Sequence, residues 1–186
     1  MSNKLTVFVG PMFATKTSKL IEYIDRATYQ NKKVVVFKPA IDNRYEEDFV
    51  VSHNGKKVKA YNLKSGNDLL KYDLNDYDVI AFDEFFMIDD IGNILIDIFC
   101  DGKKYKNKEF VVSSIQLSAS GHDFDEVKNI LPYATNIQVC TSVCTVCHQE
   151  AYYTVPKVEK LNGDYGVGGA ESYEPRCYEH SVYFHK

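Results

Sequence analysis

Residues 10–17 combine the residue types that bind phosphate groups. They read Gly-Pro-Met-Phe-Ala-Thr-Lys-Thr and directly follow the apolar run Leu5-Thr-Val-Phe-Val9. A phosphate-binding loop requires Gly, four residues, Gly, Lys and then Ser or Thr. Lys16 would neutralise phosphate oxygens, and the Thr17 hydroxyl would hold Mg²⁺. The predicted phosphate-binding residues of this segment are Gly10, Pro11, Met12, Phe13, Ala14, Thr15, Lys16 and Thr17.

One position of this motif is abnormal, because Thr15 stands where the second glycine is required. Threonine is β-branched, and its side chain is stiff. If the loop needs a left-handed backbone at this position, the penalty is about 1–2 kcal/mol. We therefore expect a nucleoside triphosphate site that is weakened but not abolished. The alternative is an ordinary turn between a strand and a helix, with a surface lysine.

A pair of acidic residues, Asp83 and Glu84, ends the apolar run Val79-Ile-Ala-Phe82. Open α/β sheets place their ligands at this edge. One carboxylate can hold Mg²⁺, and its neighbour can accept a proton from an attacking hydroxyl. Because neighbours on a strand point to opposite sides, two separate roles are expected. A solvated strand end is the alternative.

Two pairs of metal-ligating residues lie in the last quarter of the chain. Cys144 and Cys147 are separated by two residues, as are Cys177 and His180. Four N and S ligands in two such pairs predict a tetrahedral Zn²⁺ site, and no ligand position is left open for catalysis. The zinc is therefore predicted to be structural. Cys140 and His148 are competing ligands with less regular spacing, and Cys100 is predicted to lie in the core.

The elements that must position these residues alternate between strand and helix. Buried strands are predicted at 5–9, 34–37, 79–82 and 110–112, because each is a continuous apolar run. Helices are predicted at 18–30, 90–99 and 124–131, whereas residues 46–66 have no clear pattern. Such alternation indicates an α/β fold of the phosphate-loop NTPase type, with a mostly parallel sheet and helices on both faces.

The pattern changes near residue 140. We predict a phosphate-loop nucleotide-binding domain at 1–140 and a small zinc-binding lobe at 141–186. This lobe has no obvious apolar core, so the metal would hold it together.

Composition excludes several classes of protein. The chain has 186 residues, of which 45% are hydrophobic and 26% charged, and its net charge is −4. Nucleic-acid-binding proteins usually present a basic face, so no nucleic-acid partner is expected. No apolar run reaches the ~20 residues of a membrane span, and the N-terminus lacks the apolar core of a signal peptide. We expect a cytoplasmic protein without a membrane partner.

Together these motifs resemble those of the type II thymidine kinases, cytosolic deoxynucleoside kinases with a phosphate-loop α/β domain and a zinc-stapled lasso domain. The resemblance covers nearly the whole chain. Besides the phosphate loop, the acidic pair and the Cys/His pairs, it is carried by Asp42-Asn-Arg-Tyr45, Val51-Ser-His-Asn-Gly55, and Gly168-Gly-Ala170 followed by Tyr173.

The resemblance implies ATP-dependent phosphoryl transfer to the 5′-hydroxyl of thymidine or a related pyrimidine deoxynucleoside. Lys16 and Arg44 would lie at the donor phosphates, Thr17 and Asp83 would serve Mg²⁺, and Glu84 would be the general base. The implied nucleoside-binding residues are Phe124, Val167, Gly168, Gly169 and Tyr173. A homotetramer and feedback inhibition by the triphosphate end product are also implied.

The sequence departs from the family pattern after Glu84 and again after Ser113. Phe85, Phe86 and Met87 follow Glu84, where the family usually has a small residue, Gln and Phe. The segment Ile115-Gln-Leu-Ser-Ala119 also lacks a pocket aromatic that the family carries there. These departures suggest a reshaped thymine pocket.

Two alternatives remain at this stage. The first is a degenerate family member that binds nucleotide without turnover, for which Thr15 and the residues after Glu84 are the evidence. The second is a zinc-knuckle nucleic-acid module. The acidic net charge and the absence of a Lys/Arg cluster around the cysteines argue against it.

Overall fold

A computed structural model describes residues 2–42, 48–52, 55–157 and 169–181 of the chain. Three residues to which the sequence analysis assigns roles, Arg44, Val167 and Gly168, lie outside these ranges.

The described residues form three α-helices, twelve strands and four short 3₁₀ helices. The helices are α1 (Lys16–Tyr29), α2 (Ile91–Cys100) and α3 (Asp125–Ile130). The strands are β1 (Lys4–Val9), β2 (Val34–Pro39), β3 (Phe49–Val51), β4 (Lys57–Lys59), β5 (Tyr61–Leu63), β6 (Val79–Phe82), β7 (Glu109–Ser114), β8 (Asn136–Val139), β9 (Ser142–Val143), β10 (Glu150–Ala151), β11 (Tyr153–Pro156) and β12 (Tyr173–Arg176). The 3₁₀ helices are Gly66–Lys71, Leu74–Asp76, Phe85–Met87 and Leu131–Tyr133.

Six of these strands form one sheet in the order β5-β2-β6-β7-β1-β8. Every neighbouring pair in it is parallel. Because the strands are parallel, their carboxyl ends meet at one edge, and β1, β6 and β7 lie side by side in the centre of that edge. The loop after β1 and the acidic pair after β6 are thereby brought to the same edge of the sheet.

Helices cover both faces of this sheet, because its buried strands present apolar side chains on alternate faces. On β2 and β6, Val36 and Ala81 pack with α1 in one core cluster. Phe37 and Phe82 belong to the opposite cluster, with residues of α2 and α3. The predicted α/β fold, with a mostly parallel sheet between helices, is confirmed.

Several element boundaries differ from the prediction. Helix α1 begins at Lys16 rather than at residue 18, so the last two motif residues lie in its first turn. Residues 46–66 contain the hairpin β3–β4 and the edge strand β5. Their strands are three residues long, which is too short for a periodic pattern to be recognised. Cys100, expected in the core, is exposed at the end of α2, so that expectation is wrong.

The chain leaves the main sheet after β8. Two small antiparallel sheets follow, β9 with β10 and β11 with β12. The change of pattern near residue 140 coincides with this exit, while the division into domains at 140 remains a prediction. Among the described residues, no helix combines the length and the apolar character needed to cross a membrane.

Candidate active site and metal centre

A pocket of about 440 Å³ lies at the carboxyl edge of the central sheet. Its walls come from the phosphate loop, the end of β2, the strand β3, the acidic pair, and the segment before β12. The lining residues are Met12, Phe13, Ala14, Thr15, Lys16, Thr17, Ser18, Lys38, Asp42, Phe49, Val50, Val51, Asp83, Glu84, Ile115, Gly169, Ala170 and Glu171. One pocket thus joins most of the predicted phosphate-binding residues with both acidic residues and with residues 169–171.

The phosphate loop curves through two residues of positive φ. Phe13 has φ 64° and Thr15 has φ 58°, a conformation that is costly for residues other than glycine. Thr15 is exposed, directly precedes α1, and makes no side-chain capping bond. Helix α1 has no acidic residue in its first turn, so its positive end is not neutralised from within and suits an anion. The left-handed backbone considered for Thr15 is present, while its cost to nucleotide binding remains a prediction.

Gly10 has a packing role beneath the loop. A Cβ atom at this position would lie 2.3 Å from the carbonyl oxygen of Cys140, which is closer than atoms can approach. The Cys140 N–H donates to the carbonyl of Val9 at 2.6 Å, so β1 and the chain after β8 are held close together. Gly10 and Pro11 are absent from the pocket lining.

The side chains of Lys16 and Thr17, the first two residues of α1, both make hydrogen bonds. Lys16 is buried, and its ammonium donates to the carbonyl of Pro11 at 2.6 Å. The Thr17 hydroxyl lies 3.1 and 3.2 Å from the two carboxylate oxygens of Asp83. A hydroxyl beside a carboxylate is the kind of oxygen-only donor set that Mg²⁺ takes when it also binds substrate phosphates. The residues present therefore fit the predicted magnesium site.

Asp83 is held in an environment that disfavours its charge. Burial, and then the negative charge of Glu84, raise its pKa to about 7, against smaller lowering effects from Ser113, Thr17 and Lys16. A buried carboxylate of this kind is stabilised in its charged form by a nearby cation. The raised pKa is compatible with a cation beside Asp83, because a nearby positive charge would favour the charged carboxylate.

Glu84 turns the chain away from the strand. β6 ends at Phe82, and Glu84 has a left-handed conformation with φ 47° and ψ 44° before the 3₁₀ helix Phe85–Met87. The strand alternation that predicted opposite directions for Asp83 and Glu84 therefore no longer applies, and both residues line the same pocket. Left-handed backbone at a non-glycine residue is typical of sites where function imposes the geometry.

The predicted nucleoside-binding residues are only partly in the pocket. Gly169 lines it. Tyr173 is buried at the start of β12 but does not contribute to the lining. Phe124 is also buried, and its ring packs on Phe86 with centroids 4.6 Å apart. Their roles in nucleoside binding remain predictions.

Lys38, Asp42 and Glu171 line the pocket, and the sequence analysis assigned no role to their side chains. Lys38 is only 4% exposed, and its ammonium donates to the carbonyl of Phe49 at 3.2 Å. The available signal was a lysine continuing the apolar run of β2 immediately before Pro39. Asp42 stands in a motif whose arginine alone was considered.

The metal-ligating residues converge although they come from distant parts of the chain. Cys144 and Cys147 flank the turn after β9, and Cys177 and His180 follow β12. Their four ligand atoms lie within 4.8 Å of one another. Cys147 Sγ is 3.6 Å from Cys177 Sγ, and His180 Nδ1 is 3.1 Å from Cys177 Sγ and 3.8 Å from Cys144 Sγ.

Two of these distances, 3.6 and 3.8 Å, match a tetrahedral Zn²⁺ site, and the third, 3.1 Å, is slightly shorter. Zinc bonds of about 2.0–2.3 Å place neighbouring ligands roughly 3.3–3.8 Å apart, whereas a disulfide would require about 2 Å. Burial raises the pKa of the Cys144 thiol, but hydrogen bonds from the backbone of Cys147, Cys177 and Val146 outweigh it and lower the pKa to about 6. A thiolate, the form that ligates metal, is thereby favoured. Cys140 and His148 are not part of the group.

Comparison with protein-family models gives one result that covers the site and the fold together. A model described as thymidine kinase matches residues 3–181, which includes the phosphate loop, the acidic pair and all four zinc-ligating candidates. The resemblance inferred from the motifs is thereby confirmed at the level of the family. The chain belongs to the thymidine kinase family, and it is a kinase.

Proposed function

We propose that the protein is an active thymidine kinase, transferring the γ-phosphoryl group of ATP to the 5′-hydroxyl of thymidine or a related pyrimidine deoxynucleoside. The observation that carries this proposal is the meeting of Lys16, the hydrogen-bonded pair Thr17–Asp83, and Glu84 in one pocket. These are the groups that phosphoryl transfer requires, namely a cation for the phosphates, oxygen ligands for a metal, and a carboxylate for the attacking hydroxyl.

In the proposed reaction, the 5′-hydroxyl oxygen attacks the γ-phosphorus. A new O–P bond forms as the bond between the γ-phosphorus and the bridging oxygen to the β-phosphate breaks, and ADP leaves. Glu84 takes the hydroxyl proton, while Lys16 and the N-terminus of α1 stabilise charge on the phosphate oxygens. Thr17 and Asp83 would hold Mg²⁺, which when bound supplies charge neutralisation between the phosphates.

The zinc group is assigned a structural role. Three cysteines and one histidine already supply four ligands, so no open position remains for a substrate. Residues 169–171, which line the pocket, lead into β12 and on to Cys177 and His180. Zinc would therefore hold in place the segment that closes one side of the substrate pocket. From the family resemblance we further propose a cytoplasmic homotetramer inhibited by the triphosphate end product.

The decisive experiment is a panel of nucleosides incubated with Mg-ATP and the purified wild-type, Glu84→Gln and Glu22→Gln proteins. Glu22 is an exposed residue of α1, so it controls for the change of charge. We expect wild type and Glu22→Gln to phosphorylate thymidine or another pyrimidine deoxynucleoside. Because a general base contributes about 10²–10⁴-fold, kcat should fall by that factor in Glu84→Gln while triphosphate affinity is retained.

A degenerate, nucleotide-binding family member is the second candidate, and the left-handed Thr15 is the observation that favours it. It predicts a calorimetric signal for Mg-triphosphate binding without product from any nucleoside. The panel separates the two proposals, because turnover of any pyrimidine deoxynucleoside excludes the second and its complete absence excludes the first.

A further inference from the structure

One peptide group in the phosphate loop is held at both of its polar ends. The N–H of Met12 donates to the Thr154 hydroxyl at 2.9 Å. The carbonyl of the same peptide group, that of Pro11, accepts from the Lys16 ammonium at 2.6 Å. No peptide bond in the described residues is cis, and a trans peptide is planar with its N–H and C=O pointing in opposite directions. Fixing the N–H therefore fixes the direction in which the carbonyl meets Lys16.

Thr154 is a firm anchor for this peptide group. It is 4% exposed, and its β-branched side chain has few accessible rotamers. It lies in the middle of β11, opposite Pro175 of β12. The carbonyl of Pro175 accepts from the N–H of Thr145 at 3.2 Å, and Cys177 is two residues further along the chain. The hydroxyl thus belongs to the small sheets that carry the metal-ligating residues.

The phosphate loop contains strained backbone next to this peptide group. Phe13 and Thr15 both have positive φ, so the backbone between Met12 and α1 is held in a costly conformation. Without a bond at Met12, the peptide group that precedes it is free to rotate about ψ of Pro11 and φ of Met12. This rotation would take the Pro11 carbonyl away from Lys16.

We propose that Thr154 is a positioning residue for Lys16, and that the zinc-bearing sheets thereby set the geometry of the triphosphate site. The inference rests on the proposed function only in assuming that Lys16 binds phosphates. The proposal predicts that the Thr154 hydroxyl contributes to triphosphate affinity. Thr154 lies 142 residues after Met12, whose N–H donates to this hydroxyl.

The test compares Thr154→Val, which keeps the shape of the side chain without the hydroxyl, with Thr154→Ser, which keeps the hydroxyl. Binding of a non-hydrolysable ATP analogue with Mg²⁺ is measured by calorimetry, and zinc content is measured in each protein. Since one hydrogen bond to the loop is lost, we expect affinity to fall about tenfold in Thr154→Val and to stay within about twofold in Thr154→Ser. Zinc content should be equal in all three proteins.

The action through Lys16 is tested by repeating the valine substitution in a Lys16→Ala background. If Thr154 acts by positioning Lys16, the second substitution should change affinity less than about twofold there, because the two effects are not additive. Equal losses in both backgrounds would overturn the proposal. So would a raised KM for the nucleoside with unchanged affinity for the analogue. Failure of the wild type to bind the analogue would instead refute the triphosphate site itself.

Discussion

Position 15 offers the sharpest test of the strain inferred in the phosphate loop. Thr15 is exposed, has φ 58° and makes no side-chain capping bond, so in the ligand-free protein a substitution there acts mainly on backbone preference. We compare Thr15→Gly with Thr15→Ala, because alanine keeps a Cβ atom without the β-branch. At a left-handed position a Cβ atom costs about 1–2 kcal/mol.

The expected difference follows from two opposing effects. Glycine avoids the steric cost, but it loses about 0.5–1 kcal/mol more chain entropy on folding than alanine does. The remainder favours Thr15→Gly over Thr15→Ala by about 0.5–1 kcal/mol in the free energy of unfolding. At an ordinary exposed helical position the order is reversed, with alanine favoured by about 1 kcal/mol.

Urea unfolding of the ligand-free proteins measures these differences. Glu22, exposed within α1, serves as the matched position, where Glu22→Ala should be more stable than Glu22→Gly. The reversal of order between positions 15 and 22 is the prediction. If alanine is as stable as glycine at position 15, the inferred left-handed strain is wrong. Kinase assays of wild type beside Thr15→Gly then show whether the strain limits activity, since equal rates would mean that the loop tolerates threonine.

Three further predictions concern the buried charges and the metal. Because burial and the charge of Glu84 raise the pKa of Asp83 to about 7, whereas an unfolded aspartate titrates near about 3.9, only the folded state holds this proton between those values. The stability of the ligand-free protein should therefore fall as pH rises from about 4 to 7, and thermal unfolding of Asp83→Asn should lack that part of the slope. Removing zinc with a chelator should make residues 141–181 sensitive to protease, because metal binding supplies folding free energy; protection that survives verified loss of zinc would contradict the structural role. Lys38 is a buried cation in the pocket lining, so Lys38→Met should lower triphosphate affinity about tenfold through the loss of one charged contact to phosphate. Lys33 is exposed, and Lys33→Met should leave the affinity within about twofold. Equal affinities of the two variants in calorimetry would exclude Lys38 from the phosphate site.

Features that depend on a short segment of the chain could be predicted from the sequence, whereas features that depend on contacts between distant segments could not. Continuous apolar runs such as 34–37 and 79–82 are strands in the structure as predicted, because burial on both faces leaves a direct mark on composition. The Cys/His pairs could also be recognised in the sequence, because metal geometry restricts the spacing of ligands within each turn. The three-residue strands β3, β4 and β5 were missed, because their burial depends on what packs against them.

Two side chains whose surroundings the sequence did not reveal have the same explanation. No role was predicted for Lys38, because register sets its neighbours: Phe37 pairs with Phe82, and the N–H of Asp83 donates to the Phe37 carbonyl. Cys100 was expected in the core, but it is the last residue of α2 and is exposed. In both cases the relevant contacts come from other elements.

The sequence by itself determined the chemical inventory of this kinase, which comprises a phosphate-loop motif with one abnormal residue, an acidic pair at a strand end, and four candidate metal ligands. It did so because the loop motif, the acidic pair and each of the two Cys/His pairs are specified by residues that are close together in the chain. Only the tertiary structure decided how these groups are combined. The parallel strand order brings Thr17 to Asp83, a left-handed turn brings Glu84 into the same pocket, and β11 brings Thr154 to Met12. These contacts depend on strand order, register and backbone strain, which are properties of the packed molecule and not of any short segment.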